Sequence, residues 1–157
     1  MQHRMKEFTM KADSVDALLE RAKVGRISTL GADGYPYTVA VHFAVLDGKV
    51  YFHGLGQGEK LDNIKNDGRV CFEVDEYIRL MADGVTFPCD ADAEYESVVI
   101  RGDAVILEDS DLKKAVLMEI IRKYMPHLAE LPVSDARIQS AAVVQITPVS
   151  ITGKYHR

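Results

Sequence analysis

The residues best placed to do chemistry cluster in one stretch, Val50-Tyr51-Phe52-His53-Gly54-Leu55-Gly56-Gln57-Gly58-Glu59-Lys60-Leu61. A strand ends on a histidine, three glycines follow within five positions, and a lysine opens a helix. Backbone amides in a glycine-rich turn at a helix N-terminus favour an anion, and Lys60 adds a point charge. The segment is not a P-loop, since Glu59 precedes Lys60 and Leu61 follows it. Nor is it a dinucleotide fingerprint, because Glu59 stands where a third glycine belongs. Spacing alone leaves two readings open, an anion cradle or a flexible turn followed by a solvated lysine.

His53 alternates with Phe52, so if Phe52 faces the core His53 faces away from it. There it could hydrogen-bond a phosphate or carboxylate, or be a half-exposed strand histidine without a role. His42 raises the same question on the neighbouring strand. No carboxylate or cysteine is spaced to complete a metal site with the two, and none is expected. Cys71 and Cys89 lack CxxC spacing; Cys71 reads as a packed small residue and Cys89 as a loop residue.

The elements that must position these groups are legible in outline. Val15, Leu18, Leu19 and Ala22 form one helical face, with Asp13 or Ser14 as cap and Gly25 as the C′ residue. Arg26 to Leu30 is a short strand, and Gly31 to Gly34 a turn. Tyr37 to Leu46 reads as one strand, with Tyr37, Val39, Val41, Phe43 and Val45 on a bulky face and Thr38, Ala40, His42 and Ala44 on a small one. Such a small face suits solvent or a flat ligand. Asp47-Gly48 signals a hairpin to Lys49–His53. A helix over 57–66 points Leu61 and Ile64 inward, and a strand follows from Arg69 to Asp75. Residues 76–93 read as irregular. Tyr95 to Leu107 is a strand with a bend expected at Gly102. Ser110 caps a helix that Pro126 stops, and 126–139 is a loop or helical turn. Ala141 to Gly153 is apolar on both faces and is expected to be buried on both sides.

The 157 residues are expected to form one domain, residues 1–157, with 47% apolar and 27% charged side chains. A net charge of −5 speaks against non-specific nucleic-acid binding. No apolar run approaches the roughly 20 residues of a membrane span, and the first residues lack an apolar signal region, so a cytoplasmic protein with reduced thiols is expected. Six mostly antiparallel strands with three peripheral helices make the class mainly β, a small closed or split barrel.

The blocks Val24–Leu30, Asp33–Tyr37, Asp47–His53, Lys60–Ile64 and Arg69–Glu73 together resemble the nitroimidazole-resistance (Nim-type) proteins of the pyridoxamine 5′-phosphate oxidase-like, FMN-binding split-barrel superfamily. That resemblance implies a six-stranded antiparallel split barrel and a homodimer with FMN in clefts between the protomers. Val39, Ala40, Val41 and His42 would run beside the flavin ring. Lys60 would bind the FMN phosphate, with Gly58, Leu61 and nearby amides helping. Ser97 and Val98 would border the cofactor, and His53 would be the catalytic residue facing a small-molecule acceptor. The function implied is that of an FMN-dependent oxidoreductase, nitroreductase-like; the alternative is a flavin- or haem-binding protein without a catalytic role. One departure is Glu59, where Nim-type proteins often carry Arg beside the phosphate lysine.

Overall fold

The computed structural model describes residues 7–157. Its helices are α1 (Ala12–Arg21), α2 (Glu59–Asn66), α3 (Ser110–Tyr124) and α4 (Asp135–Ser140). Its strands are β1 (Gly25–Leu30), β2 (Pro36–Val41), β3 (Phe43–Leu46), β4 (Lys49–Gly54), β5 (Arg69–Met81), β6 (Asp92–Ile106) and β7 (Ala142–His156). All pairings are antiparallel, in the order β2-β1-β5-β6-β7-β4-β3. The mainly β, split-barrel class is as the sequence reads it, but the sheet has seven strands, not six.

The seventh strand arises because Tyr37–Leu46 is not one strand. It breaks at His42. β2 pairs with β1 at one edge of the sheet, and β3 pairs with β4 at the other. The two edges are therefore consecutive in the chain, and the barrel closes covalently through His42. An unbroken period of two hid the break, because Val39, Val41 and Val45 still pack against the core while Phe43 lies fully inside it. The small face is also divided. Thr38, Ala40 and His42 are exposed, but Ala44 is buried beneath α3.

Two apolar clusters hold this arrangement. Phe43, Phe52, Phe72, Ile27, Ile100 and Val144 fill the barrel. Outside it, Tyr51, Val143, Val116, Ile120 and Ile138 pack α3 and α4 against β4 and β7. Deep burial of such side chains contributes about 1.5–3 kcal/mol each before chain entropy is counted. The hairpin turn at Asp47-Gly48 has positive φ at both residues, 50° and 72°, the mirror-image turn that matches strand twist.

Several local expectations are corrected. α1 starts after Lys11 with no side-chain cap, so neither Asp13 nor Ser14 caps it. Gly25 is not a left-handed C′ residue; it opens β1, where a Cβ would come within 2.1 Å of the Phe72 ring. α2 begins at Glu59 rather than Gln57. Asp109, not Ser110, caps α3 by accepting from the Leu112 amide at 2.9 Å. Residues 76–81 and 92–93 are not irregular but extend the β5–β6 ladder to Met81 opposite Asp92. Residues 126–139 open with a helical turn at Pro126–Leu128, as expected, but then enter α4, a fourth helix that runs on to Ser140. β7 runs on to His156, and only its start, Ala142–Ile146, is largely enclosed, while Val149 and Ile151 are exposed. The bend at Gly102 is present: the β6–β7 register shifts between Arg101 and Gly102, opposite Ser150 and Pro148, leaving Val149 as the extra residue. A Cβ on Gly102 would lie 2.5 Å from the Thr147 carbonyl oxygen. The expectation of a loose polar surface segment over 1–12 falls partly, at residues 1–6, outside the described residues.

Candidate functional site

A cleft of about 410 Å³ opens over the junction of β2 and β3, lined by Val24, Ala40, Val41, His42, His53 and Lys60. Each reaches it for a local reason. β2 is a sheet edge, so alternate backbone groups of Ala40 and its neighbours face away from β1 without a ladder partner. The Ala40 side chain is small enough to leave that backbone approachable. His42 sits at the strand break with its ring stacked on Tyr124, centroids 4.3 Å apart and planes 20° apart.

Lys60 is positioned by α2. Leu61 and Ile64 bury the inner side of that helix, and Asn63 donates to the Thr29 hydroxyl of β1 at 3.0 Å. The helix cannot roll, so Lys60 is held toward the cleft. Its Nζ lies over Gly54, 3.6 Å from where a Cβ would stand. Gly58 precedes the helix with φ 134°, a conformation costly for any residue with a side chain. The first-turn amides of Glu59 and Lys60 have no carbonyl behind them in the helix to bond. Glu59 is exposed and makes no ion pair with Lys60.

His53, one residue before the end of β4, lies opposite Val143. Phe52 is fully buried and His53 points the other way, as alternation requires. The ring is open to the cleft, yet the surrounding walls remove enough water to lower its pKa below the ordinary histidine value, and the nearby His42 adds to that. Near neutral pH it is therefore an uncharged imidazole with one N–H donor and one acceptor nitrogen.

The structure thus brings together Ala40, Val41, His42, His53 and Lys60, with Gly58 at the foot of α2. Val39 is half-buried on the core side of β2. Leu61 is buried in the barrel core and its amide bonds the Gly58 carbonyl, so it reaches the cleft with neither group. Val98 is fully buried, and Ser97 lies on β6 between Asp75 and Lys154; neither lines the cleft of this chain. Sequence reading missed Val24 and Tyr124. Tyr124 falls on the apolar face of α3, where nothing distinguishes a ring that supports His42 from one that only packs.

Set against known proteins, the family model described as pyridoxamine 5′-phosphate oxidase matches residues 11–155. No curated protein sequence matches. Among solved structures, a candidate 5-nitroimidazole antibiotic resistance protein from Bacteroides thetaiotaomicron is 22% identical with a TM-score of 0.82, covering 94% of this chain and 86% of that one. A flavocytochrome from Azotobacter vinelandii gives a TM-score of 0.86 at 19% identity, covering 99% of this chain and 72% of that one. A FAD- and heme-binding protein from Mycobacterium smegmatis gives 0.83 at 15% identity, covering 94% and 72%. At these identities the likeness is one of fold.

Proposed function

This chain belongs to the pyridoxamine 5′-phosphate oxidase family, and we propose that within it the chain is a flavin-binding oxidoreductase carrying FMN in the cleft of Ala40, His42, His53 and Lys60. The observation that carries this reading is the pairing of a cationic helix start with an open, small-residue strand edge in one cleft. A flavin phosphate needs the first and a flat ring needs the second. The flavin- and heme-binding proteins of similar fold support the same class of ligand.

When bound, the flavin supplies the electron-transfer chemistry. The chain does the rest. Lys60 and the first-turn amides of α2 would hold the phosphate by charge-assisted hydrogen bonds. Ala40 would leave room for a flat ring, and the free backbone groups of the β2 edge would hydrogen-bond it. The N–H of neutral His53 would donate to a small acceptor in the cleft, and a nitro compound is one acceptor that suits such a donor.

A homodimer completes this reading. Tyr77, Leu80, Val149 and Ile151 are exposed apolar side chains on β5 and β7, the kind of surface that a second copy covers. The partner's Ser97 strand would then supply the second wall of the cofactor site.

A second reading, a haem-binding protein, is favoured by two histidines lining one cleft. The visible spectrum of the purified protein, followed by release of any chromophore, separates them. Flavin bands with FMN released support the first reading. FAD released corrects the cofactor, a Soret band supports the second reading, and a colourless protein that takes up no added flavin sinks the first.

A further inference from the structure

On the far side of His53 a second cleft, of about 510 Å³, opens between the end of β4 and the helices α3 and α4. Leu117, Ile120 and Ile121 of α3, with Met125 and Val133 beyond it, make its walls apolar. These walls are fixed. Ile138 is buried in the outer cluster, and the buried Lys113 donates to the Gln139 carbonyl at 3.1 Å, tying α3 to α4. The volume lies in the range that holds small organic ligands.

One cationic side chain lines this cleft, and no acidic residue does. It is Arg137 of α4. Arg21, Arg26, Arg69, Arg79, Arg122 and Arg157 each face a carboxylate. Arg137, like Arg101 on β6, has no such partner among the described residues, but only Arg137 stands at this cleft. A planar guanidinium with free donors beside an apolar wall matches a carboxylate or sulfonate attached to a hydrocarbon body.

We infer that this cleft seats a small apolar monoanion, an arylcarboxylate or a molecule of like chemistry, with its anionic group on Arg137, its body against α3 and its near end at His53. His53 lines both clefts, so the near end of the seated molecule lies beside the cleft that the flavin is proposed to occupy. That last step rests on the reading given above; the binding itself does not.

The test uses two fluorescent probes of nearly one shape, anionic 1-anilinonaphthalene-8-sulfonate and neutral N-phenyl-1-naphthylamine, titrated into the full chain with and without added FMN. Saturable binding of the anion at one site per chain, weakened about tenfold by Arg137→Gln while the neutral probe is unchanged, is the expected result. Val133→Trp, which fills the cleft, should weaken both probes. Equal affinity for the anion in wild type and Arg137→Gln overturns the inference, as does anion binding that Val133→Trp leaves intact. Flavin uptake is read in the same samples. FMN bound without anion binding sinks this inference alone, whereas anion binding without FMN uptake supports the cleft and sinks the flavin reading.

Discussion

The Tyr124 hydroxyl holds both backbone groups of Phe43, accepting from its N–H and donating to its C=O at 3.0 Å each. Phe43 is the first residue after the break at His42, so one side chain at the end of α3 secures the point where the two sheet edges meet. Tyr124→Phe leaves the Phe43 N–H without this acceptor. The expected loss is about 1–3 kcal/mol in denaturant unfolding. Flavin uptake should weaken with it, because the ring that supports His42 loses its anchor.

Lys60→Ala should lower FMN affinity by about tenfold or more, the loss of a charge-assisted contact to phosphate. The melting temperature of the flavin-free protein should not move, since Lys60 makes no ion pair and is only half-buried. Titration of FMN by flavin fluorescence checks the first part. Riboflavin, which lacks the phosphate, should bind wild type and variant alike.

His53→Gln should keep FMN bound and lose most acceptor reduction. In the wild type, burial lowers the His53 pKa below its ordinary 6.5. Between that lowered value and 6.5 the unfolded chain binds the proton and the native chain does not, so stability is full above 6.5 and falls as pH drops toward the folded-state value. Unfolding midpoints of wild type and variant across pH 5 to 7 should diverge in that sense; parallel curves would show that His53 is not desolvated.

Lys123 is expected to titrate near 8, lowered from 10.5 chiefly by burial. Its Nζ lies 3.7 Å from the Phe43 ring centroid and donates to the Leu19 carbonyl at 2.8 Å. Above 8 the native state releases this proton while the unfolded chain keeps it until 10.5. Stability of the wild type relative to Lys123→Met should therefore rise with pH across that window and be lost again as pH falls through 8. Paired denaturant melts at pH 7 and pH 9.5 read the difference.

Val149→Lys places a charge on the most exposed aliphatic side chain of β7. If two copies meet over that surface, the variant should elute as a monomer in size-exclusion chromatography and take up less FMN. An unchanged elution volume would move the interface elsewhere.

Much of this was legible in the sequence because period-two alternation and turn chemistry act locally. Asp47-Gly48 marked its hairpin, and the strand ending on His53 needed only the burial of Phe52 to aim the histidine. The break at His42 left no local sign, since both halves alternate in phase and only tertiary pairing sends them to opposite edges. The β5–β6 extension was hidden for a different reason. Its residues, Tyr77 to Met81, are apolar on both faces apart from Arg79 and show no alternation, because the ladder leaves the barrel there and has no buried face to impose one. Arg137 and the cleft beside it depend on how α4 docks on α3, a contact that six helical residues do not announce.

The closure through His42 has a consequence for how the molecule could be rewired. A circular permutant with new termini at His42, and the old ends joined, would sever no β-ladder, because no strand pairing crosses that residue. It would turn a ring into an open seven-stranded ribbon whose edges meet by packing alone. Such a permutant should fold with its ladders intact and yet hold flavin poorly, which would separate the sheet as a scaffold from the seam as a binding element.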